Sequence, residues 1–279
     1  MSVAEVGNIE LYYEERGGGD PLLLIMGLAM DSTGWLFQVP DFAEHYRTVA
    51  FDNRGAGRSS KPAGPYTIAQ MAEDTAGLLD AIGIARAHVV GVSMGGMIAQ
   101  ELALLHPARV RGLVLGCTYA KPGADVLQRR EGLVTQLGGS LSANGDIQLD
   151  LAKIDPMTFF RQLLPLVLTP DFIQRELPKL MQLMSGALQY GFSMEAILAQ
   201  VAAVMSHDSL DRLPQIKSPT LVITGDADLL VPPANSDVLA QKIPGAKLIK
   251  IAGGSHGFNF ETPQTFNRAV LDFLASVRN

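Results

Sequence analysis

The sequence predicts an α/β fold: a mostly parallel central sheet flanked by helices, with a helical segment inserted before the last strands. Three observations carry this. Residues 22–26 form an all-apolar run of the kind buried on both faces of a parallel sheet, and residues 46–51 and 88–92 repeat its character. Segments with helical spacing separate these runs, as expected of strands joined by crossover helices. The alternation stops after Thr118 and resumes at Thr220, so the sheet is completed after an excursion of the chain.

Each element follows in order. Residues 9–15 alternate as a half-exposed strand, and Arg16-Gly-Gly-Gly-Asp-Pro21 turns the chain into the apolar strand 22–26. Residues 35–43 have helical spacing, and 46–51 read as the next strand. In residues 68–82, Ile68, Met71, Ala72, Thr75, Leu78, Leu79 and Ile82 mark one helical face. Strand 88–92 leads into a helix over 93–105, stopped by His106-Pro107, and 110–117 is a strand. From Tyr119 to about His207 the pattern is of several helices with proline and glycine interruptions and no strand. Strand 220–224, helix 234–242, strand 246–251 and a closing helix over 263–277 finish the chain. The division is a core of residues 1–118 and 208–279 and a helical insert of residues 119–207.

Composition narrows the function. The 279 residues are 47% hydrophobic and 18% charged, enough chain for one large core and too apolar for disorder. The longest apolar run, residues 22–30, is far short of the roughly 20 residues a membrane helix needs. A formal charge of −6 offers no attraction to nucleic acid or anionic lipid. The first residues show neither a basic stretch nor a cleavable apolar segment, and the expectation is a cytoplasmic chain. The lone Cys117 cannot form an internal disulfide and reads as an inert thiol at a strand end.

The most informative segment is His88-Val-Val-Gly-Val-Ser93-Met-Gly-Gly-Met97, which sets a serine in Gly91-x-Ser93-x-Gly95 between an apolar strand and a helix. A sharp strand-to-helix turn holds such a serine in a strained conformation with its hydroxyl above the sheet. Gly91 and Gly95 leave room for helix to meet strand, and the helix N-terminus aims free amides where an oxyanion would form. A serine hydroxyl needs a base, and the base a carboxylate, in the chain order Ser, acid, His. The strand 220–224 runs into Gly225-Asp226-Ala227-Asp228, and the strand ending at Ile251 runs into Gly253-Gly254-Ser255-His256-Gly257. Asp228 suits the acid, while Asp226 is the alternative and suits a role in fixing the turn. His256 alone falls in a glycine-flanked loop after a late strand; His45, His88, His106 and His207 read as structural or solvated, His106 as a cap on helix carbonyls. The loop Asp52-Asn-Arg-Gly55-Ala-Gly57-Arg-Ser59 lacks the endings of a phosphate cradle and reads as turn support beside the site. No metal-ligand spacing occurs, and no cofactor is expected.

Taken in order, the elbow at Ser93, the Asp52–Ser59 loop, the acid turn ending in Asp228 and the His256 loop resemble the α/β-hydrolase superfamily over nearly the whole chain. That resemblance implies an oxyanion hole from the backbone amides of Leu28 and Met94, and an insert that caps the pocket. Two departures are Met26-Gly27, where many members carry His-Gly, and Ser255, where glycine is frequent. A serine at the elbow argues against haloalkane dehalogenases and epoxide hydrolases, which use aspartate there.

The insert holds seven Lys or Arg and eight Asp or Glu, so it offers no basic trap. Its Met157, Met181, Met184, Met194, Met205 and aromatic residues suggest an apolar site for a small uncharged acyl or aromatic group. The residues expected to touch substrate are Met26, Phe159, Phe160, Met184, Phe192 and Phe258. The expected reaction is hydrolysis of a small-molecule carboxylic ester or lactone through Ser93, His256 and Asp228. The resemblance also admits carbon–carbon bond hydrolysis and cofactor-free perhydrolysis, and a receptor built on the same frame is the alternative of a different class.

Overall fold

In a computed structural model, which describes residues 2–136, 139–142, 147–148 and 155–277, the apolar runs form the middle of one eight-stranded sheet. The first half contains β1 (Ser2–Val6), β2 (Ile9–Arg16), β3 (Pro21–Ile25), α1 (Val39–Ala43), β4 (Arg47–Phe51), α2 (Ile68–Ala81), β5 (Ala87–Val92), α3 (Met94–Leu105) and β6 (Val110–Gly116). The excursion contains α4 (Ala124–Gln136), β7 (Ser140–Leu141), β8 (Ile147–Gln148), α5 (Pro156–Val167), α6 (Pro170–Gln189) and α7 (Met194–Ser206). The chain returns through β9 (Thr220–Gly225), α8 (Ala234–Lys242), β10 (Lys247–Ile251), α9 (Phe258–Glu261) and α10 (Pro263–Ser276). The strand order is β1-β2-β4-β3-β5-β6-β9-β10, antiparallel only where β2 pairs β1 and β4. β6 pairs directly with β9, Leu113 opposite Thr220, although the whole of α4–α7 intervenes.

Alternate residues of the central strands feed opposite faces. Leu23, Ile25, Val89, Leu113, Leu115 and Val222 pack with α2 and α3 on one side. Leu22, Leu24, Val90, Val92, Val114 and Ile223 pack with Phe42 of α1 and Phe266, Val270 and Leu274 of α10 on the other. This period-two division explains why these strands are apolar throughout. Each fully buried leucine or valine contributes about 1.5–3 kcal/mol over its exposed state.

Two expectations differ from the structure, and one strand had no expectation. The helix read over residues 35–43 is a 3-10 turn, Ser32–Trp35, followed by the separate α1, because Pro40 lacks an N–H and fits only a first helical turn. The segment read as strandless contains β7 and β8, paired antiparallel with Leu141 opposite Ile147. Each is two residues long, too short for a strand pattern to show in the sequence. The first strand of the sheet, β1, was not anticipated; Val3 and Glu5 are exposed and only Ala4 is buried, so it carries little apolar signal. Within the excursion, Pro165 and Pro178 lie inside α5 and α6 rather than ending them. Among the described residues no helix is long and apolar enough to cross a membrane.

Candidate active site

Ser93 lies between the end of β5 and the start of α3 with φ 54° and ψ −122°, a left-handed conformation that serine adopts only when its surroundings enforce it. They do so through backbone groups. Ser93 N–H donates to Gly116 O at 2.9 Å, and Ser93 O accepts from Gly96 N–H at 2.9 Å and from Thr118 Oγ1 at 2.8 Å. The glycines on either side are required by contact: a Cβ on Gly91 would stand 2.2 Å from Gly95 O, and one on Gly95 2.0 Å from Ile25 O. The α3 N-terminus therefore packs closely on β3 and β5, and Met94, as its first residue, has no intrahelical acceptor; its N–H makes no hydrogen bond among the described residues. Gly27, at the end of β3, faces the serine, a Cβ there falling 3.1 Å from Ser93 Cβ.

The loops after β9 and β10 bring an acid to an imidazole. His256 Nδ1 lies 2.8 Å from Asp228 Oδ2, and both side chains are buried. Asp228 Oδ1 accepts from Leu230 N–H and Val231 N–H, each at 2.8 Å, so the carboxylate is held on both oxygens. Asp226, the alternative acid, instead accepts from Gly253 N–H at 2.7 Å and ties the two loops together. Ser93 and His256 line one cavity, but no hydrogen bond joins them among the described residues. Such bonds are commonly long in an empty site and tighten when substrate binds.

That cavity has a volume of about 210 Å³. Met26, Leu28 and Met30 form one wall, and Leu163, Leu164, Val167, Leu168 and Leu180 of α5, α6 and the link between them form another. Leu28 N–H makes no hydrogen bond among the described residues, like that of Met94. Of the expected substrate contacts, Met26 lines the cavity. Phe258 does not: it is fully buried and packs edge-on against Phe266 at 5.6 Å, in the core beneath the site. Phe192 packs with Met194 and Ile197 rather than on the cavity. The side chains of Phe159, Phe160 and Met184 lie outside those described. The described wall from α5 and α6 is made of leucine and valine rather than of the methionine and aromatic residues that composition suggests. Cys117, read as a core thiol, is buried but reaches the cavity wall, and burial beside Asp228 pushes its thiol well up.

The remaining motifs sort themselves by their partners. Asp52 accepts from Ser32 N–H at 2.7 Å and Arg58 N–H at 2.8 Å, Asn53 Nδ2 donates to Met26 O at 2.9 Å, and Arg54 pairs with Asp74. The Asp52–Ser59 loop therefore braces the end of β3, and both of its arginines are engaged. His88 and His207 are buried, which lowers each to about 4. His45 is exposed. His106 does not cap carbonyls through its ring; its Nε2 lies 3.0 Å from Glu73 Oε1 on α2.

Known proteins share the sequence pattern and the fold of the chain. The family model described as alpha/beta hydrolase fold matches residues 20–167 and 191–263. A protein of Azorhizobium caulinodans named carbamate hydrolase RutD is 32% identical, over 99% of each chain. The enol-lactonase of Burkholderia xenovorans LB400 superposes with a TM-score of 0.85 at 31% identity, over 99% of this chain and 100% of that one. A thermophilic esterase of Thermogutta terrifontis does so with a TM-score of 0.83 at 26% identity, over 100% and 99%. A serine elbow above a parallel sheet, an acid–imidazole pair after its late strands and a matching profile across most of the sequence lead to one conclusion: the chain belongs to the alpha/beta hydrolase fold family.

Proposed function

We propose that this hydrolase cleaves carboxylic ester or lactone bonds of small, largely apolar substrates through Ser93, His256 and Asp228. The observation that carries the reading is the Asp228–His256 pair, which opens onto the same cavity as the strained Ser93. Asp228 holds the Nδ1 proton of His256, so Nε2 is the nitrogen left to take the proton of Ser93 Oγ. The oxygen attacks the carbonyl carbon, and the tetrahedral oxyanion is met by Leu28 and Met94 N–H, both without a partner among the described residues. Each such donor contributes about 2.7–4 kcal/mol to the transition state. Collapse expels the alkoxide with the proton from His256, and water repeats the sequence to release the acid.

The cavity's largely aliphatic walls, with Asp31 but no Lys or Arg among its described lining, support an apolar acyl group without negative charge, and the position of α5 and α6 supports a capping role for the insert. The name carried by the Azorhizobium caulinodans relative adds carbamates to the substrates worth testing, since attack on that carbonyl uses the same groups. The test is labelling with a fluorophosphonate followed by peptide mapping, together with Ser93→Ala. Modification at Ser93 and a fall in turnover of p-nitrophenyl acetate by about three to six orders of magnitude are expected. Labelling elsewhere, or near-normal turnover by Ser93→Ala, rejects the reading. Parallel assays on an aliphatic lactone and an aryl carbamate rank the bond types.

A further inference from the structure

Gln200 is a polar side chain, wholly buried, on α7 of the excursion, far in sequence from Ser93 and from the loops after β3 and β4. Both ends of its amide are used. Oε1 accepts from Ala29 N–H at 3.0 Å, and Nε2 donates to Arg54 O at 2.8 Å. Ala29 occupies the third position of a turn, Gly27 to Met30, closed by Met30 N–H donating to Gly27 O at a long 3.4 Å. Its φ is 62°, the conformation a type II turn demands there and one that favours glycine. An alanine with this backbone and a weak closing bond does not hold the turn by itself. The support comes from outside: Asn53 Nδ2 anchors Met26 O on one side, and Gln200 anchors Ala29 N–H on the other. Between the two anchors lie Gly27, against Ser93, and the unpartnered Leu28 N–H.

We propose that Gln200 is a positioning residue for hydrolysis, fixing the Gly27–Met30 turn so that Leu28 N–H points at the oxygen that becomes the oxyanion. The inference rests on the serine-hydrolase reading above and extends it: the oxyanion loop is held in shape from the insert, so the site is complete only with α7 docked on the loops after β3 and β4. Misplacing a preorganised donor weakens transition-state stabilisation while leaving ground-state binding alone.

The test compares Gln200→Leu, which removes both hydrogen bonds, with Gln200→Glu. The latter keeps an oxygen opposite Ala29 N–H and, as the neutral acid that burial favours, a donor opposite Arg54 O. Active sites are counted by fluorophosphonate titration, and assays are run well below each variant's melting temperature. Gln200→Leu is expected to lower kcat for p-nitrophenyl acetate about 10- to 100-fold with KM within twofold. Its affinity for a trifluoromethyl ketone, which forms a tetrahedral oxyanion on the serine, falls in parallel, and Gln200→Glu recovers most of both. Gln200→Met, which keeps the side chain's length, replaces the leucine variant if that protein does not fold. A kcat within twofold of wild type, or a loss of kcat with unchanged affinity for the ketone, overturns the proposal. Ser93→Ala separates the two readings: full turnover there removes the serine mechanism itself, whereas an inactive Ser93→Ala beside a fully active Gln200→Leu removes only the role of Gln200.

Discussion

Replacing Asp228 by asparagine separates the chemistry of the acid from its structural duty. The carboxylate accepts three hydrogen bonds, from Leu230 N–H, Val231 N–H and His256 Nδ1, each at 2.8 Å. An asparagine oxygen retains the first two, so the loop after β9 keeps its shape and stability changes by no more than about 1 kcal/mol. The new NH2 takes the place of Oδ2 and donates toward Nδ1, which then has to accept; the ring proton moves to Nε2, the nitrogen proposed to receive the proton of Ser93. A wrong tautomer of this kind costs about 10⁴ in kcat, equivalent to about 5 kcal/mol of barrier. Alanine would be a poorer probe, because the buried Val231 N–H would lose its acceptor at about 1–3 kcal/mol and the half-buried Leu230 N–H would lose its own as well. The assay is steady-state hydrolysis of p-nitrophenyl acetate beside a thermal melt, with Asp226→Asn as the control that retains activity. An Asp228→Asn enzyme with normal melting and kcat within tenfold of wild type would refute the assignment of the acid.

Two further predictions concern the frame. Gly95→Ala forces a Cβ to within 2.0 Å of Ile25 O, a backbone clash that no rotamer relieves, and is expected to cost about 3 kcal/mol or more; an unchanged urea midpoint would contradict the packing described. His88 and His207 are held neutral by burial, each lowered to about 4 from about 6.5 in the unfolded chain. The unfolded state therefore binds more protons between these values, and stability drops as pH falls from about 6.5 to about 4, by ~3 kcal/mol per ring at the acid end. His207→Gln should lose less stability than wild type between pH 7 and pH 4.5 in urea titrations, and equal losses would remove His207 as a source of acid lability.

The sheet and the three groups after its strands were legible because each is signed locally. Strands buried on both faces are apolar without alternation, the elbow needs small residues two positions either side of Ser93, and the acid and base follow late strands in a set order. Spacing after the strand points to Asp228 rather than Asp226, and in the folded loops Asp228 Oδ2 lies 2.8 Å from His256 Nδ1 while Asp226 accepts from Gly253 N–H. Contacts between distant elements were hidden. Phe258, three residues before the end of α9, looked like a pocket aromatic, yet its helix turns the ring down onto Phe266. The leucines of α5 and the role of Gln200 depend on how helices of the insert are rotated against the loops, which composition does not encode. The break before α1 was readable at Pro40, whose missing N–H marks a helix start.

The direct pairing of β6 with β9 bears on how such a molecule diversifies. Because neighbouring strands close the sheet regardless of what the chain does between them, the entropic charge for a longer detour rises only logarithmically, by about 0.6 kcal/mol for each doubling. A lineage is then free to lengthen or trim the stretch from α4 to α6 while the sheet and the contact of α7 with the loops after β3 and β4 stay in place, so the pocket's roof can change faster than the frame beneath it.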